Sequence, residues 1–222
     1  MACASRSRPC TGRWCASGCA QKKTLHASER DTPRVRSLRA WFRKRAERLN
    51  PRRLLFLDES GVNLAMTRLR GRAPRGERVA GGAPQNYGAG VTLVAALGAR
   101  GVRAAMSVDG PTDTEVLVSF IREALAPRLR RGDIMVMDNL PVHKTLRVRE
   151  AVRLAGAELL YLPPYSPDLS PVERCWSKLK AWLRKAKART RESLSAALAE
   201  GFAAVTERDA KNWFRHCGYA LR

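Results

Sequence analysis

Three acidic residues stand where carboxylates could act together. Asp58 follows the apolar run Leu54-Leu55-Phe56-Leu57, and Asp138 follows Ile134-Met135-Val136-Met137. Short, wholly apolar runs read as buried strands, and α/β proteins gather their ligands at the carboxyl edge of such strands. Asp58 and Asp138 are therefore expected to be neighbours in space. Glu173 follows Pro163-Pro164-Tyr165-Ser166-Pro167-Asp168-Leu169-Ser170-Pro171, whose prolines stiffen the approach to a helix start. Carboxylate oxygens are hard ligands that suit Mg2+ or Mn2+. Three of them could hold two such cations about 4 Å apart, one activating a nucleophile and one stabilising a leaving oxygen in strand cleavage.

Each acid also has a plainer reading. Asp58 and Asp138-Asn139 could simply end strands in turns, a frequent use of these side chains. Ser170-Pro171-Val172-Glu173 has the spacing of a capping box, in which Glu173 would reach back to the cap amide. The two uses of Glu173 are compatible, because a helix N-terminus favours the ionised carboxylate that a metal needs. His143 either orients a phosphate or an acid or serves structure alone, and it stays outside the proposed triad.

The elements that must position these acids follow from patterning. Asp58-Glu59-Ser60-Gly61 reads as the turn ending the first strand, followed by a Gly- and Arg-rich connection over residues 61–90. Val91–Leu97 and Val102–Val108 read as a hairpin joined at Gly98-Ala99-Arg100-Gly101. Thr112-x-x-Glu115 has capping-box spacing ahead of a helix through Phe120, Ile121 and Leu125. A helix over 145–154, a strand over 158–162 and helices from 172, over 192–205 and over 208–216 complete the pattern. This is the element order of an α/β, ribonuclease H-like (retroviral-integrase-like) fold, a mixed five-stranded sheet with helices on both faces. One main domain is expected over residues 51–222. Residues 1–50 read as a basic, poorly ordered leader with a short helix from Pro33 to Arg48.

Lys and Arg number 42 against 20 Asp and Glu, a net charge of +22 over 222 residues, and this excess points to a polyanionic partner. A membrane surface is the rival polyanion, but no apolar run approaches the roughly 20 residues of a spanning helix. Met1 to Cys19 lacks the apolar core of a signal peptide, so a soluble, cytoplasmic protein with no membrane partner is expected. From Arg174 to Arg191 there are eight Lys or Arg and no acid. On a helix, Val172, Trp176, Leu179 and Leu183 form the packed stripe, and Glu173, Lys180 and Arg184 line one flank of it. Lys178, Lys180, Arg184 and Lys185, with Arg68, Arg72 and Arg75 of the long connection, are the candidate phosphate contacts. Cys3, Cys10, Cys15 and Cys19 lack the paired spacing of a zinc site, and Cys175 and Cys217 read as packing residues.

Three segments together carry a resemblance. Phe56-Leu57-Asp58-Glu59-Ser60-Gly61, Met137-Asp138-Asn139-x-x-x-His143-Lys144 and the run from Leu162 to Glu173 resemble the three motifs of DDE transposases. The nearest group is the mariner-like superfamily with its bacterial insertion-sequence relatives, and 34 residues lie between Asp138 and Glu173, as is typical there. The resemblance extends over residues 50–220. It implies Asp58, Asp138 and Glu173 as the catalytic and metal-binding triad, two Mg2+ or Mn2+ ions, and double-stranded DNA of transposon ends and target as substrate. It further implies a homodimer or larger synaptic assembly. About 50 residues precede the domain, too few for the paired helix-turn-helix modules of relatives, so a separately encoded recognition subunit or a truncated element is expected. The alternative is a catalytically silent DNA-binding remnant, and a third reading is a cellular nuclease of the same fold.

Overall fold

In the computed structural model, which describes residues 25–88 and 90–221, five strands form one sheet. They are β1 (Leu54–Val62), β2 (Val91–Gly98), β3 (Gly101–Asp109), β4 (Ile134–Met137) and β5 (Glu158–Tyr161). The spatial order is β3-β2-β1-β4-β5, antiparallel on the β3-β2-β1 side and parallel from β1 through β4 to β5. β1 and β4 begin as unbroken apolar runs because the sheet is covered on both faces at its centre. The hairpin turns through Ala99-Arg100, and Gly101 (φ 120°) takes the conformation that a side chain would disfavour.

The first strand does not stop at Asp58. β1 runs on through the Asp58-Glu59-Ser60-Gly61 segment that reads as a turn, because β2 offers partners all the way, from Leu55↔Gly98 to Val62↔Val91. β4 stops at Met137, so β1 outruns its parallel neighbour from Asp58 onward.

Helices cover both faces. On one side lie α1 (Pro33–Ala46), α4 (Pro171–Ala186), α5 (Arg191–Ala203) and α6 (Glu207–His216). Their buried residues, among them Phe42, Trp176, Leu179, Leu198 and Phe214, meet Phe56, Leu93 and Val136 of the sheet. On the other side α2 (Thr114–Ser119), a more widely wound turn over Phe120–Leu125, and α3 (Leu146–Leu154) pack on Leu57, Val94 and Met137. α5 can lie close on α4 because position 201 is Gly; a Cβ there would stand 2.5 Å from Leu179 Cδ1.

The start of α2 differs from the expected capping box at Thr112. Asp113 is the cap, its Oδ1 accepting from the Val116 N–H at 2.9 Å, since a carboxylate at the cap position satisfies the helix N-terminus directly. The stretch read as a leader is divided. α1 packs on the domain with Val35, Arg39 and Phe42 buried, and the cysteines at 3, 10, 15 and 19 lie outside the described residues. Among the described residues no helix is long and apolar enough to cross a membrane.

Candidate active site

The strand period of two decides which way each acid faces. Phe56 and Val136 point to the α4 side and Leu57 and Met137 to the α3 side. Two residues beyond the paired Phe56↔Val136 lie Asp58 and Asp138, so both side chains leave adjacent parallel strands toward α4. α4 begins at Pro171 and carries Glu173 in its first turn, its apolar stripe of Val172, Cys175, Trp176, Leu179 and Leu183 seated on the sheet. Asp58, Asp138 and Glu173 line a single cleft of about 420 Å³, roofed by the 163–167 loop.

The expected capping box at Glu173 is absent. Ser170 is buried, makes no side-chain cap bond and leaves the Glu173 carboxylate to the cleft. The loop before it is fixed from an unexpected quarter. Arg39 of α1, 5% exposed, donates to Ser166 Oγ at 2.6 Å and to both oxygens of Asp168 at 3.0 and 2.7 Å. This fork-on-fork pairing locks the segment that leads into α4.

Trp176 donates its indole N–H to Asp58 Oδ2 at 2.9 Å. Burial pushes the Asp58 carboxyl up to about 7; the Trp176 bond opposes that rise and the nearby charge of Glu173 adds to it. Glu173 opens to solvent at the rim. Desolvation raises its carboxyl above the usual value, Lys180 opposes this, and Asp138 adds to it. The charge of Glu173 thus repels that of each aspartate. A cation would relieve that repulsion.

Asp138 is held differently. Its Oδ1 accepts from the Leu140 N–H at 3.0 Å and lies 2.6 Å from His143 Nδ1, a close ion pair set off the line of the ring N–H. His143 is buried, and its Nε2 lies 3.0 Å from Glu59 Oε1. Burial works against a charge on His143, but the carboxylates of Asp138 and Glu59 outweigh it and push its pKa up to about 10. Burial likewise works against the Asp138 charge, but the His143 and Leu140 contacts outweigh it and hold the carboxyl below its usual value. Among the described residues no group of three or more His, Cys, Asp or Glu side chains is placed so as to hold a metal ion. The oxygen donors of the cleft nevertheless suit a hard divalent cation by type, charge and shared opening.

A family model described as DDE superfamily endonuclease matches residues 53–195, a span that holds all three acids. The chain belongs to this family. The Tc1 transposase of Caenorhabditis elegans is 40% identical over 50 residues, covering 22% of this chain and 18% of that protein. A solved structure described as the Mos1 transposase paired-end complex with left transposon end superposes with a TM-score of 0.73 at 20% identity, covering 90% of this chain and 64% of that one. The Mos1 transposase catalytic domain with raltegravir and Mn gives 0.68 at 18% identity, covering 87% of this chain and 92% of that one. The matched stretch is under a fifth of the Tc1 relative's length, and this chain covers less than two thirds of the Mos1 chain in the paired-end complex. The likeness in fold bears out the ribonuclease H-like architecture expected from element order.

In this DDE superfamily endonuclease the cations expected near the site divide. Lys180 and Arg184 are half-buried and Lys185 exposed on α4, and Lys180 is near enough to Glu173 to act on its charge. Lys178 requires a correction. Its ammonium donates to the Ala204 carbonyl at 2.7 Å and to Asp209 Oδ2 at 2.6 Å, because its position on α4 faces the junction of α5 and α6. There it ties α4 to the helices that follow. Arg68, Arg72 and Arg75 are exposed on the long β1–β2 connection and do not line the cleft. Trp176 and Glu59 were missed as site residues. A buried indole must find an acceptor for its N–H, which was a usable signal for Trp176. Nothing in the sequence ties Glu59 to a histidine 84 positions away.

Proposed function

We propose that this chain is the catalytic part of a mariner-like DNA transposase, cleaving and joining strands at the ends of a mobile element, in an insertion-sequence setting. The observation that carries the reading is the shared cleft of Asp58, Asp138 and Glu173 on adjacent parallel strands and the first turn of α4. Residues 51–222, with α1 buttressing the proline-rich loop, form the catalytic unit.

Asp58, Asp138 and Glu173 would hold Mg2+ or Mn2+, two ions in the full site, which supply nucleophile activation and leaving-group stabilisation when bound. The Mn reported with the Mos1 catalytic domain supports that choice. Trp176 donates to Oδ2 of Asp58 and so fixes the carboxylate that lines the cleft. The charged His143 keeps Asp138 ionised and holds its Oδ1. Lys180, Arg184 and Lys185 would grip phosphates along the exposed flank of α4, and Arg68, Arg72 and Arg75 would follow the duplex beyond it. Pairing of two ends calls for a dimer or larger assembly, and recognition of terminal repeats for helix-turn-helix modules, supplied by a separate subunit.

The test is metal-dependent cleavage of a duplex carrying the element end, with recognition modules supplied. Glu173→Gln should abolish cleavage by at least about a hundredfold while leaving DNA affinity intact, because metal ligands act as a unit. Activity surviving that substitution would sink the triad. Wild-type inactivity in a folded, metal-loaded complex would favour a silent remnant.

A further inference from the structure

β1 and β4 stop pairing before they reach the aspartates they carry. Their last partners are Phe56 and Val136, and Asp58 and Asp138 stand two residues beyond. Asp58 is still held, because β1 runs on along β2 and places it opposite Ala95. Asp138 has left its strand, which ends at Met137. Its position relative to β1 must therefore be set by contacts past the end of the shared ladder.

Glu59 makes that contact. It follows Asp58 on β1 and, by the strand period of two, turns to the other face of the sheet, opposite Val94 of the α3 side. It does not line the cleft, so it is no ligand there. Beyond β4 the chain turns through Asn139-Leu140-Pro141, and the His143 N–H donates to the Leu140 carbonyl at 3.1 Å. The hydroxyl of Tyr161, on β5, donates to the His143 carbonyl at 2.8 Å. These bonds fix the histidine backbone and leave its ring, in a residue 1% exposed, between two carboxylates. Nε2 lies 3.0 Å from Glu59 Oε1 and Nδ1 2.6 Å from Asp138 Oδ1. The Glu59 contact has hydrogen-bond geometry, whereas the Asp138 contact lies off the line of the ring N–H. Glu59 therefore sets the aim of the ring, and the rigid imidazole carries that aim to Asp138.

We propose that Glu59 is a positioning residue: through His143 it ties Asp138 to β1 and so sets the spacing of Asp58 and Asp138 for the cations they share. β1 then serves both aspartates, one by its own Asp58 and the other through the next residue. The use of that spacing for metal rests on the function proposed above; the tie between β1 and Asp138 does not. Groups that hold metal ligands from outside the coordination sphere typically contribute about 10- to 100-fold in metal affinity. A buried Glu–His pair serving stability alone is the competing account.

Two substitutions separate reach from charge. Glu59→Gln keeps the length and the acceptor oxygen and loses the charge, whereas Glu59→Asp keeps the charge and draws it back by one methylene. Mn2+ affinity is measured by calorimetry at one pH without DNA. Hydrogen exchange of the Leu140 amide, which donates to Asp138 Oδ1 at 3.0 Å, is measured without metal. Glu59→Asp should lower Mn2+ affinity by about tenfold or more and speed Leu140 exchange, with Glu59→Gln within about threefold of wild type. Wild-type values for Glu59→Asp in both measurements would overturn the proposal and leave the pair to stability alone. So would the reverse order of the two variants, which would mark an effect of charge. If Glu59→Asp fails to fold, Glu59→Met, which keeps the length without the acceptor, should give the same loss; wild-type affinity there would equally overturn the proposal. Mn2+ affinity unaltered by Asp138→Asn would refute the metal reading, and Leu140 exchange would then decide the tie: faster in Glu59→Asp for it, unchanged against it.

Discussion

Trp176→Phe tests how the cleft sets the charge of its most buried acid. The substitution keeps an aromatic ring in the stripe of α4 and near Phe202, whose centroid is 6.4 Å away, but removes the one indole N–H that reaches Asp58. A hydrogen bond to a charged group contributes about 1.5–3 kcal/mol, and one pH unit corresponds to about 1.4 kcal/mol. Starting from a carboxyl already at about 7, loss of the bond should move it up by about one to two pH units. At pH 7.5 the ionised fraction of Asp58 would drop, and apparent Mn2+ affinity with it, by roughly three- to twenty-five-fold, recovering by about pH 9–10. Calorimetric Mn2+ titrations from pH 6 to 10 on both proteins read the shift, with strand cleavage followed over the same range. Profiles that superimpose would refute the reasoning. So would a uniform loss at every pH, which would mean that the indole serves packing alone.

Three further outcomes follow from the same geometry. The raised pKa of His143 contributes stability that is complete below its unfolded value near 6.5 and lost as pH rises through about 10. His143→Gln should therefore flatten the decline of the melting temperature over that window, and at pH 7 it should cost about 3 kcal/mol because Glu59 and Asp138 lose their shared partner; an equal decline in both proteins would contradict this. Arg39→Ala should cost about 1–3 kcal/mol and expose the 163–170 loop to protease, and a double-mutant cycle with Asp168→Ala that proves additive would show that the lock is unimportant. Lys178→Met should lower stability and leave the salt dependence of DNA binding alone, whereas Lys180→Met should reduce its slope by about one; the reverse pattern would restore Lys178 to the DNA surface.

Patterning alone carried the reading as far as the order of elements, the apolar identity of the central strands, the two acids that follow them and the third at a helix start. Those features depend on local rules: a strand buried on both faces must be apolar throughout, a hairpin needs glycine at its turn, and a proline-rich run before Glu173 cannot continue a strand. The basic excess and the stripe of α4 were legible for the same reason, since charge count and helical period are properties of the chain itself. What lay beyond was decided by partners distant in sequence. Whether β1 stops at Asp58 depended on the length of β2, and which cations of α4 face solvent depended on where Asp209 came to rest. The fixing of Asp58 by Trp176, of Asp138 by His143 and Glu59, and of the proline-rich loop by Arg39 arises only when the sheet and its two helical layers close. A carboxylate's charge and aim depend on what surrounds it in space, and sequence spacing does not encode that surrounding for groups separated by 80 to 130 residues.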